Sequence, residues 1–272
     1  MSQLLRRPFA KNIGLARAGC SLGLWAAGVL TVLLLGVSAS AADVPKVDLT
    51  LGAQNRFEYS GVSWTDGPVL SEGAAVSYAG FSASAGMFHV LSTQDGDAFE
   101  PLELDLMLAY AATWESGDIR ITLSPYAMYS FFFGPFSEDF EDALILGGSV
   151  EAAYGGFSLE AANAVNVVGF ERAYATSFSG SYTHTLLQEM VTLTVGPAMY
   201  WTTSRYNRLN NLVDTAGLNV QIQASVGYMP WSGTTFGLHG SASPYLNPTL
   251  RSGVSEELFY FGFEINQSWG GT

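Results

Sequence analysis

The sequence predicts an all-β chain: a transmembrane antiparallel up-and-down β-barrel of about 12 strands. Three observations predict it. Apolar and polar residues alternate along many segments, the connections between segments alternate between short and long, and aromatic residues gather at both ends of the segments. Alternating strands with this loop asymmetry are typical of barrels of the bacterial outer membrane.

The first 41 residues have the pattern of an export signal. Four basic residues precede the uncharged run "LGLWAAGVLTVLLLGV", and the small-residue stretch "SASAA" follows it. This order predicts a signal peptide over 1–41, cleaved after Ala41, and a barrel over 42–272. An uncleaved membrane anchor is the alternative, because the apolar run approaches the ~18 residues of a spanning helix.

After the signal, period-two alternation predicts twelve strands, and no segment has helical periodicity. The Gly, Ser, Thr, Tyr and Phe content suits strands. The predicted segments are 46–61, 69–79, 81–91, 101–114, 118–133, 143–154, 157–168, 172–185, 190–203, 215–228, 233–244 and 256–269.

The connections indicate how the barrel is oriented. Five of them, among them "AG", "ESGD" and "GG", are tight, and those between them are mostly longer and rich in Asp, Glu, Asn, Pro and Gly. A barrel inserted from the periplasm has short periplasmic turns, longer external loops and an even strand count. We therefore expect both termini on the periplasmic side.

Aromatic residues mark both strand ends. Beside the tight turns lie Tyr78, Phe81, Trp114, Tyr154, Phe157, Tyr228, Trp231 and Trp269; beside the long loops lie Phe57, Tyr59, Phe131, Phe133, Trp201, Tyr245 and Phe259. Amphipathic rings gather at lipid–water boundaries. A soluble periplasmic sandwich or lectin-like domain is the alternative, although its core would draw aromatics toward the strand middles.

Composition excludes several functions. Seven Lys and Arg residues against 24 acids follow residue 41, a formal balance of −17 that disfavours nucleic acid as a partner. The only cysteine, Cys20, lies within the predicted signal, so the mature chain has no thiol chemistry. We expect no cofactor and no metal site.

With the apolar parity taken as outward, the opposite parity faces the lumen. From Leu102 to Leu108 the even positions are then expected to meet lipid, and Glu103 and Asp105 to lie inside, near Arg120 across the "ESGD" turn. A charge on the lipid face costs roughly 2–4 kcal/mol at mid-depth. The predicted pore-lining residues are Arg56, Glu58, Glu103, Asp105, Arg120, Glu151, Glu160, Gln221, His239 and Glu264, with Asn166, Asn219, Gln223, Ser241 and Asn266 on the same face.

Two roles stay open for the inward charges. They brace the barrel wall through salt bridges, or they form an acidic constriction that favours cations. The external segments "QDGDAFE" and "SEDFED" repeat the acidic bias. They are ordinary solvated loops or hold a divalent cation.

One pair of residues raises an enzymatic alternative. "GLHGSAS" places His239 and Ser241 two apart on one strand face, which resembles the His-x-Ser arrangement of outer-membrane phospholipase A, a twelve-stranded barrel. That family's dyad faces lipid, whereas parity points these residues inward. His89 and His184 stand alone and indicate packing.

The stretch 49–90 resembles the opening of the TorF-like family of porins. "FEYSGVS" at 57–63, "TDGPVLSEG" at 65–73 and "AGFSASAG" at 79–86 follow that family's order of strand, turn and hairpin, with Ser60 in place of its arginine and Glu72 in place of its glutamine. The resemblance implies an outer-membrane barrel with a pore role and assigns no catalytic residue.

These features together predict a non-enzymatic channel in the outer membrane of a Gram-negative cell. It would pass small hydrophilic solutes, with a bias toward cations, by diffusion. Its expected partners are outer-membrane lipid, periplasmic chaperones and the barrel-assembly machinery. The alternatives are a structural or adhesive barrel with a closed lumen, and a lipid-hydrolysing barrel enzyme.

Overall fold

The structure is a computed structural model that describes residues 44–56, 58–59, 62–63, 67–91, 100–133, 142–169, 173–204, 217–246 and 259–270. The predicted signal peptide over 1–41 lies outside these residues and stays a prediction. In the part described, no helix is long and apolar enough to cross a membrane.

The described chain forms β-strands joined in one main sheet. Their bounds are β1 Lys46–Gln54, β2 Glu58–Tyr59, β3 Val62–Ser63, β4 Val69–Tyr78, β5 Phe81–Val90, β6 Glu100–Tyr110, β7 Ala112–Ser116, β8 Ile119–Phe132, β9 Ala143–Tyr154, β10 Phe157–Val168, β11 Tyr174–Leu186, β12 Val191–Thr202, β13 Gly217–Trp231, β14 Thr234–Leu246 and β15 Phe259–Trp269. Only β2 and β3 lie apart, as a small hairpin.

The main sheet closes on itself. Its order is β6-β5-β4-β1-β15-β14-β13-β12-β11-β10-β9-β8-β7, and β6 also pairs with β8. Because β6 and β7 both pair with β8 and are separated only at Ala111, they are two parts of one wall strand. The result is a closed barrel of twelve antiparallel strands, which confirms the predicted fold and leaves no free edge.

The strand bounds follow the predicted segments closely, with two notable differences. The first strand ends at Gln54 and not at 61, and the chain then forms the β2–β3 hairpin. β13 continues to Trp231, so the turn predicted at 229–233 shortens to residues 232–233.

The outer wall is apolar and exposed. In the isolated chain, the side chains of Leu108, Leu159 and Phe261 are 67%, 68% and 64% exposed. Large apolar side chains exposed over most strands of the barrel cost free energy in water and gain it in lipid. This closed barrel with an apolar exterior is an outer-membrane β-barrel.

Aromatic rings mark the two rims of this wall. At the tight-turn end Phe81, Trp114, Tyr154, Phe157, Trp231 and Trp269 are exposed, and at the long-loop end Trp201 and Phe259 are exposed. Most of the predicted belt residues that the structure describes are therefore exposed, whereas Tyr78, Phe131 and Phe133 are half-buried. The predicted Phe57, Tyr59 and Tyr245 lie outside the described side chains.

The tight turns use left-handed backbone. Glycines with positive φ occupy four of them, at Gly80, Gly117, Gly155 and Gly233. The turn between β11 and β12 differs, because Leu187, Gln188 and Glu189 have φ of 52°, 55° and 71°. A left-handed conformation costs a residue other than glycine roughly 1–2 kcal/mol.

Replacing Gln188 with glycine is therefore expected to stabilise the barrel. The substitution removes the Cβ that disfavours a positive φ, and the net gain is about 1 kcal/mol after the entropy of glycine in the unfolded chain. Urea unfolding of the refolded barrel measures it. Thr192→Gly, in the adjoining strand, is the control and is expected to lower stability; equal losses in both variants would contradict this explanation.

Candidate functional site

The interior of the barrel is the candidate site. One cavity of about 560 Å³ lies inside the wall and is lined by residues of β9 to β15. Directly paired residues of neighbouring strands share a face, so the registers extend the inward parity from this lining to every other strand.

Most of the predicted pore-lining residues lie on the inward face of the barrel wall. On the inward face lie Arg56, Glu103, Asp105, Arg120, Glu151, Glu160, Gln221, His239 and Glu264. Glu58 belongs to β2, whose side chains lie outside the description. Whether these residues line a conducting path stays a prediction.

Arg120 does not lie where the sequence predicted it. It was expected near Glu103 and Asp105, but it pairs across the strands with Glu115, and its Nη2 lies 4.0 Å from Oε1 of Glu151. The reason is the antiparallel register: residues close to a turn pair with residues close to the same turn. Glu103 and Asp105 lie at the far end of the hairpin.

Leu102 lies on the opposite face from the one that the sequence predicted. It was expected to face lipid, but it is 3% exposed and packs inside the barrel against Val69, beside Phe88 and Val90. The pairing of β5 with β6 shifts register between Phe88 and His89. A bulge at this point adds one residue to β6, so strict alternation fails there.

Glu103 and Asp105 lie near the long-loop end of the interior. Glu103 is buried opposite Phe132, and Asp105 lies opposite Ser130. The Ser130 hydroxyl donates a hydrogen bond of 2.5 Å to Oδ1 of Asp105. This bond satisfies one carboxylate oxygen and fixes the direction of the side chain.

Apolar side chains fill part of the same end. One cluster consists of Val69 and Leu102 with Phe88 and Val90. A second cluster consists of Ala143, Ile145, Ala173 and Ala175, with Tyr126, Met128, Phe132 and Ala164 packed against it. The interior is therefore not uniformly polar.

Burial changes along the barrel axis. At the long-loop end the inward side chains of Arg56, Asn166, Thr202, Asn219 and Gln221 are all buried. At the tight-turn end the inward Glu115, Arg120 and Glu160 are exposed. Among the described residues, the lumen is open toward the tight turns and narrows toward the long loops.

The cavity has one acidic wall. Glu151 of β9 and Glu160 of β10 are direct cross-strand partners, and both line the cavity. Like charges directly opposite each other in a sheet are destabilising. Arg120, whose Nη2 lies 4.0 Å from Oε1 of Glu151, offsets only the charge of Glu151.

The opposite wall is neutral and hydrogen-bonded. Tyr260 donates to Oε1 of Gln54 over 2.6 Å, and its hydroxyl lies 3.0 Å from Nε2 of His239. Gln223 donates to the hydroxyl of Tyr200 over 2.8 Å. Tyr200, Tyr260 and Gln54 were not among the predicted residues, although each has the inward parity of its strand.

The hydrolase hypothesis can be compared with these contacts. His239 and Ser241 both line the cavity, so the pair faces the interior and not the lipid. The Nε2 atom of His239 contacts Tyr260, and the two rings stack at 5.5 Å. A lipid chain at the outer wall therefore does not meet this pair.

Two other histidines lie on the outer face. Nε2 of His89 is 2.8 Å from Oε1 of Glu72, and Glu72 pairs with the outward Leu51. This pair was not predicted, because the parity of β5 is ambiguous in the sequence. His184 lies outside near a tight turn and stacks on Tyr182 at 6.3 Å.

Metal coordination has no support in the described part of the chain, where no three His, Cys, Asp or Glu residues are grouped closely enough. The two acidic external segments lie almost wholly outside the described residues. The hypothesis that they hold a divalent cation stays untested.

The fold and this interior define a class: an outer-membrane β-barrel with a polar, acidic lumen. No family model matches the chain, and no curated protein matches it. The resemblance to the TorF-like family therefore stays a prediction.

The chain is similar to solved structures of a porin and of outer-membrane proteins. The chain is similar to the KdgM porin, with 8% identity, a TM-score of 0.49, and coverage of 82% of this chain and 99% of that one. It is similar to an outer membrane channel from Pseudomonas putida F1, with 9% identity, a TM-score of 0.49, and coverage of 86% and 97%. For OprD from Pseudomonas aeruginosa the values are 10%, 0.40, 83% and 65%.

Proposed function

We propose that the protein is a passive channel that admits small hydrophilic solutes and prefers cations. The observation that carries this proposal is the charge of the inward face. Seven carboxylates lie on that face in the described strands: Asp48, Glu103, Asp105, Glu115, Glu151, Glu160 and Glu264. Its described basic groups are Lys46, Arg56 and Arg120.

The excess of acid supports a cation bias for a physical reason. Carboxylates that line a narrow aqueous path raise the local concentration of cations and lower that of anions. The low-dielectric wall strengthens this effect, because it focuses the field into the lumen. Diffusion through such a lumen involves no bond making, so the proposal includes no enzymatic step.

A closed structural barrel is the second candidate. The burial of inward residues at the long-loop end, such as Asn219 and Gln221, favours it. Barrels of this strand number lie between small filled barrels and open porins. The two candidates differ in whether solutes cross the long-loop end.

Liposome swelling separates the two candidates. The full barrel is reconstituted into liposomes that are then diluted into isotonic solutions of neutral sugars of increasing size. We expect swelling with the smallest sugars and a steep decline with size, because the lumen narrows toward the loops. Liposomes that fail to swell with every sugar, while a general porin used as control swells them, would favour the closed barrel.

A further inference from the structure

The cavity inside β9 to β15 has two chemically different walls, which together indicate the kind of solute it can hold. Its acidic wall consists of Glu151 and Glu160, paired directly across two strands. Within the described residues, Glu160 makes no ion pair or hydrogen bond, and only Glu151 lies near a cation, at 4.0 Å from Arg120. The pair therefore keeps uncompensated negative charge beside an aqueous space.

The other wall offers fixed hydrogen-bonding groups. A tyrosine hydroxyl has one proton, and Tyr260 gives its proton to Gln54. Nε2 of His239 lies 3.0 Å from the same hydroxyl, whose oxygen can accept a hydrogen bond. This chain of bonds orders the three side chains before any solute arrives.

The remaining lining is hydroxylated and small. It includes Ser158, Ser179, Ser181, Thr194, Ser225 and Ser241. Its other members are glycines and Ala224. Such a surface matches hydroxyl groups better than alkyl chains, because buried hydroxyls need hydrogen-bond partners. The volume of about 560 Å³ is that of a site for one small molecule.

We propose that this cavity is a binding subsite for a small hydroxylated organic cation, of the amino-sugar or amino-polyol class. The ammonium group lies between Glu151 and Glu160, and the hydroxyl groups face the wall of Gln223, His239 and Tyr260. The inference rests on the proposed function and deepens it, since it names the class of solute that binds on its way through.

Other ligand classes fit the two walls less well. Calcium takes six to eight oxygen ligands, and the acidic wall supplies two carboxylates. A sugar acid would place its own carboxylate in the field of Glu151 and Glu160, which repels it. A primary or secondary ammonium group has at least two N–H donors, so it can donate to both carboxylates.

The test compares two ligands that differ in charge. N-methylglucamine is an amino polyol, and sorbitol is its neutral counterpart. Binding of each to the refolded full barrel in detergent is measured by isothermal titration calorimetry. We expect the barrel to bind N-methylglucamine at least tenfold more tightly than sorbitol, and Glu160→Gln and the Glu151→Gln/Glu160→Gln double variant to remove that difference progressively.

The matched control is Glu115→Gln/Glu264→Gln, which neutralises two inward carboxylates outside the cavity lining and is expected to keep the tenfold preference. Tyr260→Phe is expected to weaken both ligands by similar factors. Heat-modifiable gel mobility checks that each variant is folded. Equal affinity for the two ligands in the unaltered barrel, or a preference that survives in the folded double variant, would overturn the inference.

The outcomes separate this inference from the proposed function. Calorimetry in detergent measures binding without transport, whereas liposome swelling and conductance measure passage. Passage without preferential binding of the amino polyol overturns the subsite alone. Preferential binding without passage overturns the channel alone.

Discussion

Gly196→Ala is expected to destabilise the barrel strongly. A Cβ at Gly196 would lie 1.8 Å from the carbonyl oxygen of Gly180 and 2.8 Å from Cα of Ser181. Both atoms belong to the main chain of β11, so no side-chain rotation relieves the clash. Overpacking normally costs about 1–3 kcal/mol, and a clash that requires the main chain to move is expected at or above the upper end of that range.

The local pairing explains why this position is so tight. The regular register between β11 and β12 is interrupted between the pairs Ser179–Ala198 and Tyr182–Val195. The two main chains approach closely within this interruption. Glycine is the residue that permits such an approach.

Gly227→Ala is the matched control. Gly227 also faces inward, on the next strand, and its added Cβ would meet Thr235 and Thr192 at 3.7 and 3.8 Å, which are ordinary contacts. We expect the control to fold with a loss below about 1 kcal/mol. Heat-modifiable mobility and urea unfolding compare the two; a Gly196→Ala barrel as stable as the Gly227→Ala barrel would show that the strands are not this close.

The second large effect concerns ion selectivity. Neutralising both Glu103 and Asp105, as Glu103→Gln/Asp105→Asn, is expected to lower the preference for cations at least about fivefold. One ionised carboxylate acts on a cation about 4 Å away with about 1 kcal/mol even at the dielectric constant of water, which is a factor of about five in local concentration. The asparagine oxygen can still accept the hydrogen bond of Ser130, so the wall keeps this contact.

Glu189→Gln/Asp118→Asn provides the charge-matched control. Both residues lie in tight turns and are exposed outside the lumen. This double variant removes the same net charge with the same two substitution types and is expected to leave selectivity nearly unchanged. If both double variants lower the preference equally, the selectivity arises from overall charge and not from the long-loop end of the lumen.

The sequence was sufficient to predict the barrel wall. Alternation over β6, with Leu104, Leu106 and Leu108 on one parity, is a local property that each strand carries by itself. The tight turns are also local, because Gly80, Gly117 and Gly155 supply the left-handed conformations the turns need. Loop asymmetry then set the strand order, since consecutive segments pair in an up-and-down barrel.

The errors lie where several strands determine the result together. Leu102 faces inward because a bulge changes its parity, and no alternation rule locates a bulge. Arg120 does not meet Asp105, because the register fixed by the turn separates them along the strand. Counting residues outward from the turn along both strands would have predicted this separation of Arg120 from Asp105.

The apolar packing inside the barrel could not be predicted from the sequence, for a different reason. Ile145 and Phe132 pack inside the barrel, although an apolar side chain on a barrel strand is expected to face lipid. Which inward positions become filled depends on side chains from strands far apart in the sequence. The Glu72–His89 pair on the outer face has the same origin, because it joins β4 to β5 across their pairing.

A cation preference that arises from the acidic lumen is measured by the zero-current potential of the unaltered protein in a planar bilayer. With a tenfold gradient of KCl across the bilayer, we expect stepwise conductance with a reversal potential displaced toward the equilibrium potential of potassium. Displacement toward the equilibrium potential of chloride, or a folded barrel that inserts without conducting, would contradict it.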